Sequence, residues 1–311
     1  MMSRILITGA SGFAGRHLAA YLHQLGCQVY GLNRLPAGVE HVVELEGDLA
    51  VPEAASQAVQ ASAPDYVFHL AARTPANTAA VDDRNWLLEN PLATLNLLEA
   101  IRRYYPQART LLVSSSAIYG HISQGKLPIS EEAPLRPTTM YGVSKATQEL
   151  LAMRYVAEYG LHIVRARPFN LVGPGEPRRM LTSALASQVA DIAGGRAEPV
   201  LRMRHRATSR DFTDIRDAVR AYWALAELGR PDEVYNVCSG VATPIGELVD
   251  GLLAAAGVTA RVEETAPRPA ANDIIAQWGR NQRITEATGW RPEIDLATSL
   301  RDLLESFPNA D

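Results

Sequence analysis

Five short runs of apolar, β-favouring residues recur along the first half of the chain: RILIT (4–8), QVYGL (28–32), DYVFHL (65–70), RTLLVS (109–114) and HIVRARP (162–168). Between them, near 13–25, 52–62, 84–104 and 139–159, apolar residues return every three to four positions, and this spacing predicts helices. Apolar strands separated each time by one helix predict right-handed βαβ units and a parallel sheet covered on both faces. After about residue 170 the alternation loosens. Proline and glycine cluster in NLVGPGEP (170–177), and a basic stretch, RMRHRATSRD (202–211), follows. A helix near 215–229 and a strand EVYNVCS (233–239) then predict a return to the sheet. The remainder reads as a helix near 244–256, a proline-broken loop at 266–273 and a last helix near 295–306. The expected fold class is α/β, with a doubly wound parallel sheet over 1–169, return segments near 212–239, and a smaller interleaved C-terminal lobe over 170–311.

Bulk composition narrows the functional classes. A chain of 311 residues that is 47% hydrophobic has enough apolar material for a full α/β core. A net charge of −4 and a pI near 6.0 give no pull towards nucleic acid or an anionic membrane, so neither is expected as a partner. Cys27 and Cys238 lie far apart and outside any metal-type spacing, which suits a reducing cytoplasm. The apolar run in MMSRILITGA is too short for a secretory signal, and no stretch approaches the ~20 apolar residues of a membrane span. Seven scattered histidines show no ligand spacing, so no metal site is expected. His69, Trp86, Trp223, Trp278 and Trp290 are assigned to packing.

Chemistry enters with the glycines. ITGASGFAG places Gly9, Gly12 and Gly15 after the first strand and at the start of a helix. Such a turn lets the backbone approach a pyrophosphate, and the helix N-terminus beyond it offers free N–H groups and a positive dipole end. The fold expectation sharpens to a Rossmann-type, dinucleotide-binding sheet. The tip of the second strand carries Asn33 and then Arg34, where a carboxylate would repel a 2′-phosphate. A guanidinium instead pairs with phosphate, so NADP(H) is favoured, with NAD(H) possible.

YGVSK sets Tyr141 and Lys145 four apart on one helical face. A phenol titrating near ~10 is a poor proton carrier at neutral pH, and a neighbouring ammonium is expected to lower it. A solvated helix face shows the same spacing. Its place here, after a dinucleotide turn and a serine-bearing strand end, makes it specific.

Together, TGASGFAG, HLAA (69–72), VSSSAIYG (113–120), YGVSK and RPFNLVGPG (167–175) resemble the extended short-chain dehydrogenase/reductase family acting on nucleotide sugars, and the resemblance spans essentially the whole chain. It implies a catalytic triad of Ser115, Tyr141 and Lys145. Tyr141 would pass the proton, Ser115 would hold the carbonyl oxygen, and Lys145 would tune Tyr141 and hold the nicotinamide ribose. It further implies a cofactor site formed by Gly9, Ser11, Gly12, Phe13, Ala14, Gly15, Asn33, Arg34, Asp48, Leu49, Leu70, Ala71, Ala72, Asn90, Tyr141, Lys145 and Pro168. Substrate contacts are implied for Ser115, Ser116, Asn170, Arg210 and Arg268, the two arginines holding a diphosphate. The physical logic for arginine there is independent: a diphosphate needs fixed, forked donors. A salt bridge of Arg210 to Asp211 or Asp214 is the lesser alternative, and Arg202, Arg204 and Arg206 read as a solvated loop.

Dehydratases of this family carry acidic residues within two positions of the catalytic hydroxyl. Here those positions are Ser116 and Ala117, and alanine transfers no proton. Simple hydride transfer between a carbonyl and an alcohol is what remains. Within the family, RPFNLVGPG, RDFTDIRDAVRAYW and EVYNVCSG most resemble the branch that reduces GDP-4-keto-6-deoxy-D-mannose to GDP-D-rhamnose with NADPH. Leu171, Glu176 and the proline-free ANDIIAQWG (271–279) depart from the usual pattern, and all three touch the substrate lobe. A nucleotide-sugar 4-epimerase with retained NAD, a 4,6-dehydratase and a non-catalytic NADP(H)-binding regulator stay open at this stage. The apolar residues of 84–104 and 139–159 cover more than one face, and the resemblance implies a homodimer formed through those helices.

Overall fold

The computed structural model describes residues 2–74, 83–266 and 274–307. The first half runs β1 (Arg4–Thr8), α1 (Phe13–Gln24), β2 (Gln28–Asn33), β3 (Val42–Glu46), α2 (Pro52–Ser62), β4 (Tyr66–His69), α3 (Asp83–Tyr104), β5 (Arg109–Val113), α4 (Met140–Tyr159) and β6 (Ile163–Pro168). The second half runs β7 (Asn170–Val172), α5 (Leu181–Ala193), β8 (Val200–Met203), β9 (Ser209–Arg210), β10 (Phe212–Asp214), α6 (Ile215–Leu228) and β11 (Val234–Val237). It closes with β12 (Thr243–Pro244), α7 (Ile245–Ala256), β13 (Arg261–Glu264), β14 (Ala276–Gln277), α8 (Gln282–Thr288) and α9 (Leu296–Glu305).

Seven strands form one sheet in the order β11–β6–β5–β4–β1–β2–β3, and every pairing in it is parallel. Period-two alternation divides each strand between two cores. Ile5, Ile7, Phe68, Leu111 and Val164 pack against α1 and α6, with Leu18, Leu22, Tyr222 and Leu225 facing them. Leu6, Val67, Leu112 and Ile163 face the other way, onto Val59 of α2, Leu97 and Ile101 of α3 and Tyr155 of α4. Burial on both faces is why these strands read as continuous apolar runs, and each such large side chain contributes about 1.5–3 kcal/mol.

The chain winds outward from β1 through β2 to β3, then returns to build β4, β5, β6 and β11 on the other side. That reversal opens a crevice at the carboxyl ends of β1 and β4. A second lobe stands over this edge. Its core joins Leu185 and Val189 of α5, Leu248 and Leu252 of α7, and Leu300 and Leu303 of α9. Short pairs, β7 with β10, β8 with β13, and β9 between β12 and β14, tie the lobe together. Among the described residues no helix is long and apolar enough to cross a membrane.

Candidate active site

Gly9 follows β1 with φ at 73°, a left-handed conformation that a side chain resists. A Cβ there would lie 2.9 Å from the Ala71 Cα, so the turn rests directly on the tip of β4. A Cβ on Gly15 would press into the Gly9 carbonyl and come within 2.7 Å of the Ala10 Cα. Gly12 caps α1 in an extended conformation and without a side-chain bond. The opening N–H groups of α1, from Phe13, Ala14 and Gly15, therefore project from an uncapped helix end.

The neighbouring strand tips are wired to this turn. Ser11 N–H donates to Asn33 Oδ1 at 2.9 Å, and Gly47 N–H donates to the Asn33 carbonyl at 2.9 Å, which leads the chain to Asp48 and Leu49. Asp48 Oδ1 accepts from Ala50 N–H at 2.9 Å, and buried Leu49 offers its carbonyl to Asn96 Nδ2 at 2.7 Å. Leu70 and Ala71 N–H groups donate to the carbonyl and hydroxyl of Thr8, both at 3.2 Å, which fixes the tip that continues to Ala72. A dinucleotide fits this cradle. It is floored by glycines, ends in an uncapped helix and has at its rim a buried amide nitrogen, Asn33 Nδ2, with no partner. Arg34 is exposed beside it. Arg16, which the sequence reading missed, bonds the Ser11 carbonyl at 3.0 Å and the Ala37 carbonyl at 3.3 Å, so a second cation borders the same loop.

Ser115 follows the end of β5 and caps a 3-10 turn, Ser116–Tyr119, by accepting Ala117 N–H at 3.1 Å. Thr139 caps α4 through Gly142 N–H at 3.0 Å and sets Tyr141 and Lys145 on successive turns. The Tyr141 phenol lies beside Ser115, whose hydroxyl acts to lower its pKa. Lys145 Nζ donates to the Val113 carbonyl at 2.9 Å. The three predicted triad residues thus meet at one strand end. The electrostatics differ from expectation. Burial pushes the Tyr141 phenol up to about 12, and Ser115 only partly opposes it. In the protein alone desolvation outweighs the help expected from the ammonium. Burial also draws Lys145 down to about 8, against the nearby charge of Glu149.

Glu149, another residue the sequence reading passed over, continues the Tyr141–Lys145 face by one more turn. It is fully buried and gripped by Arg167 of β6 through two bonds of 2.9 and 2.7 Å. Arg167 also donates to the Tyr119 hydroxyl at 3.0 Å, which donates to Asn236 Oδ1 at 2.6 Å. The tyrosine of SSSAIYG is therefore a buried strut behind the site. Asn90 acts from behind as well. Its carboxamide accepts Arg73 N–H at 2.7 Å and donates to the Arg73 carbonyl at 3.1 Å and to Ser144 Oγ at 3.0 Å. His69 lies between the hydroxyls of Thr8 and Thr94, 2.8 Å from each, and burial draws it down to about 3. It stays neutral. Trp86, expected only to pack in the core, lies edge-on to the Tyr141 ring with centroids 6.1 Å apart.

Asn170, two residues beyond Pro168 at the end of β6, donates to the Asp211 carbonyl at 2.8 Å. The Asp211 carboxylate accepts Ser239 N–H, Ser239 Oγ, Gly240 N–H and Gly279 N–H at 2.6–3.2 Å. Asp214 takes two bonds from Arg216, each 2.8 Å, and one from Ser299. These carboxylates are thus engaged elsewhere, and Arg210 lines a cavity of about 330 Å³ with Leu185, Met203, His205, Ile245 and Ile274. Arg202 and Arg206 pair with Glu263 at 3.2 Å and Asp250 at 3.1 Å, and Arg202 also lines the cavity beside Arg210. Glu176 is buried and is raised to about 8 by desolvation, against the nearby N–H groups of Ser183 and Gly173. Arg268 lies outside the described residues. No cluster of three or more potential metal ligands occurs among the described residues.

Comparison with known proteins agrees with this geometry. The model of the NAD dependent epimerase/dehydratase family matches residues 5–238. A GDP-6-deoxy-D-mannose reductase of Pseudomonas aeruginosa is 34% identical over 307 residues, covering 99% of this chain and 98% of the relative. The structure of RMD from Pseudomonas aeruginosa complexed with NADPH superposes with a TM-score of 0.87 at 33% identity, covering 98% of each chain. The UDP-glucose 4-epimerase of Thermus thermophilus, complexed with NAD, superposes at 0.85 with 27% identity, covering 97% of this chain and 98% of that one. The chain belongs to the NAD dependent epimerase/dehydratase family.

Proposed function

We propose that this family member is an NADPH-dependent reductase of the C4 ketone of a 4-keto-6-deoxy nucleotide sugar, converting GDP-4-keto-6-deoxy-D-mannose to GDP-D-rhamnose. The observation that carries the reading is the catalytic turn. Ser115 lies beside the Tyr141 phenol, and the two positions after Ser115 hold serine and alanine. Reduced nicotinamide, when bound, supplies the hydride. The residues of the chain manage the proton and the oxygen. A phenol raised to about 12 is fully protonated at neutral pH, so Tyr141 stands ready as donor to the carbonyl oxygen. Ser115 holds that oxygen in line, and the Lys145 ammonium, fixed at the Val113 carbonyl, favours the phenolate left behind. With no carboxyl at Ser116 or Ala117, the turn has no group to remove water from the sugar.

The Asn33–Arg34 tip and the neighbouring Arg16 support NADP(H), since none of them repels a 2′-phosphate. Residues 1–169, with the return segments, would hold the cofactor, and 170–311 the substrate. The cavity beside Arg210 would take the nucleoside, with Arg210, Asn170 and Arg268 on the diphosphate. A cytoplasmic homodimer is part of the same reading. Leu88 is 64% exposed on α3 and Leu150 57% exposed on α4, and Leu92, Leu95 and Met153 extend the apolar face between them. Such a stripe on adjoining helices suits a second copy of the chain.

Absorbance of reduced nicotinamide tests the reading directly, with purified enzyme, NADPH and GDP-4-keto-6-deoxymannose. Stoichiometric loss of signal, faster than with NADH, is the expected result. No loss, together with tightly held NAD in the purified protein, would move the assignment to a 4-epimerase.

A further inference from the structure

The last short strand joins the two ends of the site. In β14, Gln277 lies in parallel register with Arg210 of β9, so their backbones run about 4.8 Å apart. Asp211 N–H donates to the Gln277 carbonyl at 3.1 Å. In the other direction the side chain reaches the catalytic turn, where Nε2 donates to the Ser116 carbonyl at 3.3 Å. Ser116 directly follows Ser115. Gln277 is only 7% exposed; its side chain holds the turn that carries Ser115, and its backbone holds the strand of Arg210.

Chemistry settles which way the amide faces. A carbonyl can only accept, so the side-chain nitrogen points at Ser116 and the oxygen points away. Among the described residues that oxygen accepts no hydrogen bond, and Gln277 keeps a small exposure. A hexose with C4 at Ser115 and Tyr141 and its diphosphate at Arg210 would span the interval that Gln277 bridges. On a 4-keto-6-deoxy sugar the C4 oxygen and the C6 methyl cannot donate. The hydroxyls on C2 and C3 can, and the one on C3 is next to the reacting carbon.

We propose that Gln277 is a specificity-determining residue, whose carboxamide oxygen accepts a hydrogen bond from the sugar hydroxyl adjacent to the ketone; this rests on the reductase reading above. Its substrates are nucleotide sugars with a donor at that carbon, and a 3-deoxy sugar is discriminated against because it leaves the oxygen unpaired.

Calorimetry with GDP-mannose and GDP-3-deoxymannose, on wild-type enzyme and on Gln277→Leu, tests this without turnover. Wild-type enzyme should bind GDP-mannose about tenfold more tightly, and the leucine variant should bind the two equally, with its affinity for the deoxy ligand unchanged. The kcat/KM values for the corresponding 4-keto-6-deoxy sugars should show the same pattern. Equal weakening of both ligands in the variant would reduce Gln277 to a prop for the turn and overturn the proposal, as would a wild-type enzyme that does not distinguish them. If the leucine variant fails to bind NADPH, Gln277→Asn, which withdraws the oxygen by one methylene, carries the same comparison. Wild-type enzyme that reduces neither ketone would remove the reductase reading and leave the binding comparison to decide Gln277.

Discussion

Lys145 Nζ donates to the Val113 carbonyl at 2.9 Å, which fastens the ammonium of α4 to the last residue of β5, two residues before Ser115. The charge that the proposed chemistry needs is therefore held by the strand that presents Ser115, and it is held where water is scarce. Burial draws this lysine from 10.5 to about 8.

The charged form is present below that value and lost above it. In the free enzyme, kcat/KM for ketone reduction should be level near neutrality and fall by about tenfold per pH unit above the lysine pKa. Arginine keeps its charge throughout, so Lys145→Arg should lower the rate and remove the limb. A limb that survives in the arginine variant would belong to another group. Stability has the opposite slope. Between about 8 and 10.5 the unfolded chain keeps a proton that the folded chain has released, so folding is favoured as pH rises through that window.

Tyr141→Phe should abolish turnover and leave NADPH binding nearly intact, since only the proton donor is removed. Ser115→Ala removes one donor to the carbonyl oxygen and should lower kcat about 100- to 1000-fold. Fluorescence titration with NADPH, set beside steady-state rates, separates the two effects. Retained turnover in the phenylalanine variant would refute the proton-donor role.

The Glu149–Arg167 pair is almost wholly buried, with side-chain exposures of 1% and 5%. Glu149→Gln leaves Arg167 without its countercharge and should destabilise the fold by about 3–5 kcal/mol. Replacing both residues with apolar ones of similar volume should recover much of that loss. Urea unfolding of the single and double variants measures it. Equal losses in both would show that packing, and not the unpaired charge, is responsible.

Gly15→Ala should abolish dinucleotide binding, because a Cβ there meets the Gly9 carbonyl and lies 2.7 Å from the Ala10 Cα, both backbone atoms. Gly12→Ala is milder, with a nearest contact of 3.2 Å. NADPH dissociation constants for the two variants should differ by more than about tenfold. Equal affinities would mean that the turn relaxes to admit both methyl groups.

Local patterns made much of this molecule legible. β1, β2, β4 and β5 are largely apolar because both faces are buried, and the turn needs glycine at Gly9 and Gly15 because backbone occupies the space of a side chain. β3 escaped notice. Its VVELE is an edge strand with only intermediate and exposed positions, so it lacks the continuous apolar signature. The ion pair that is the lesser alternative for Arg210 is not formed: Asp214 is held by Arg216 and Ser299, and Asp211 is turned away. Adjacent strand residues face opposite ways, and Asp211 turns to backbone N–H groups at 239, 240 and 279 instead.

By itself the sequence determined the parallel sheet, the dinucleotide turn and the shared helical face of Tyr141 and Lys145, because each depends on spacing within one element or between neighbours. Tertiary structure decided what surrounds them. It brought Arg167 onto Glu149, Trp86 beside Tyr141, and Gln277 across 161 positions to Ser116. It also reversed the expected balance at Tyr141, since desolvation depends on everything packed around a group and no local spacing records it.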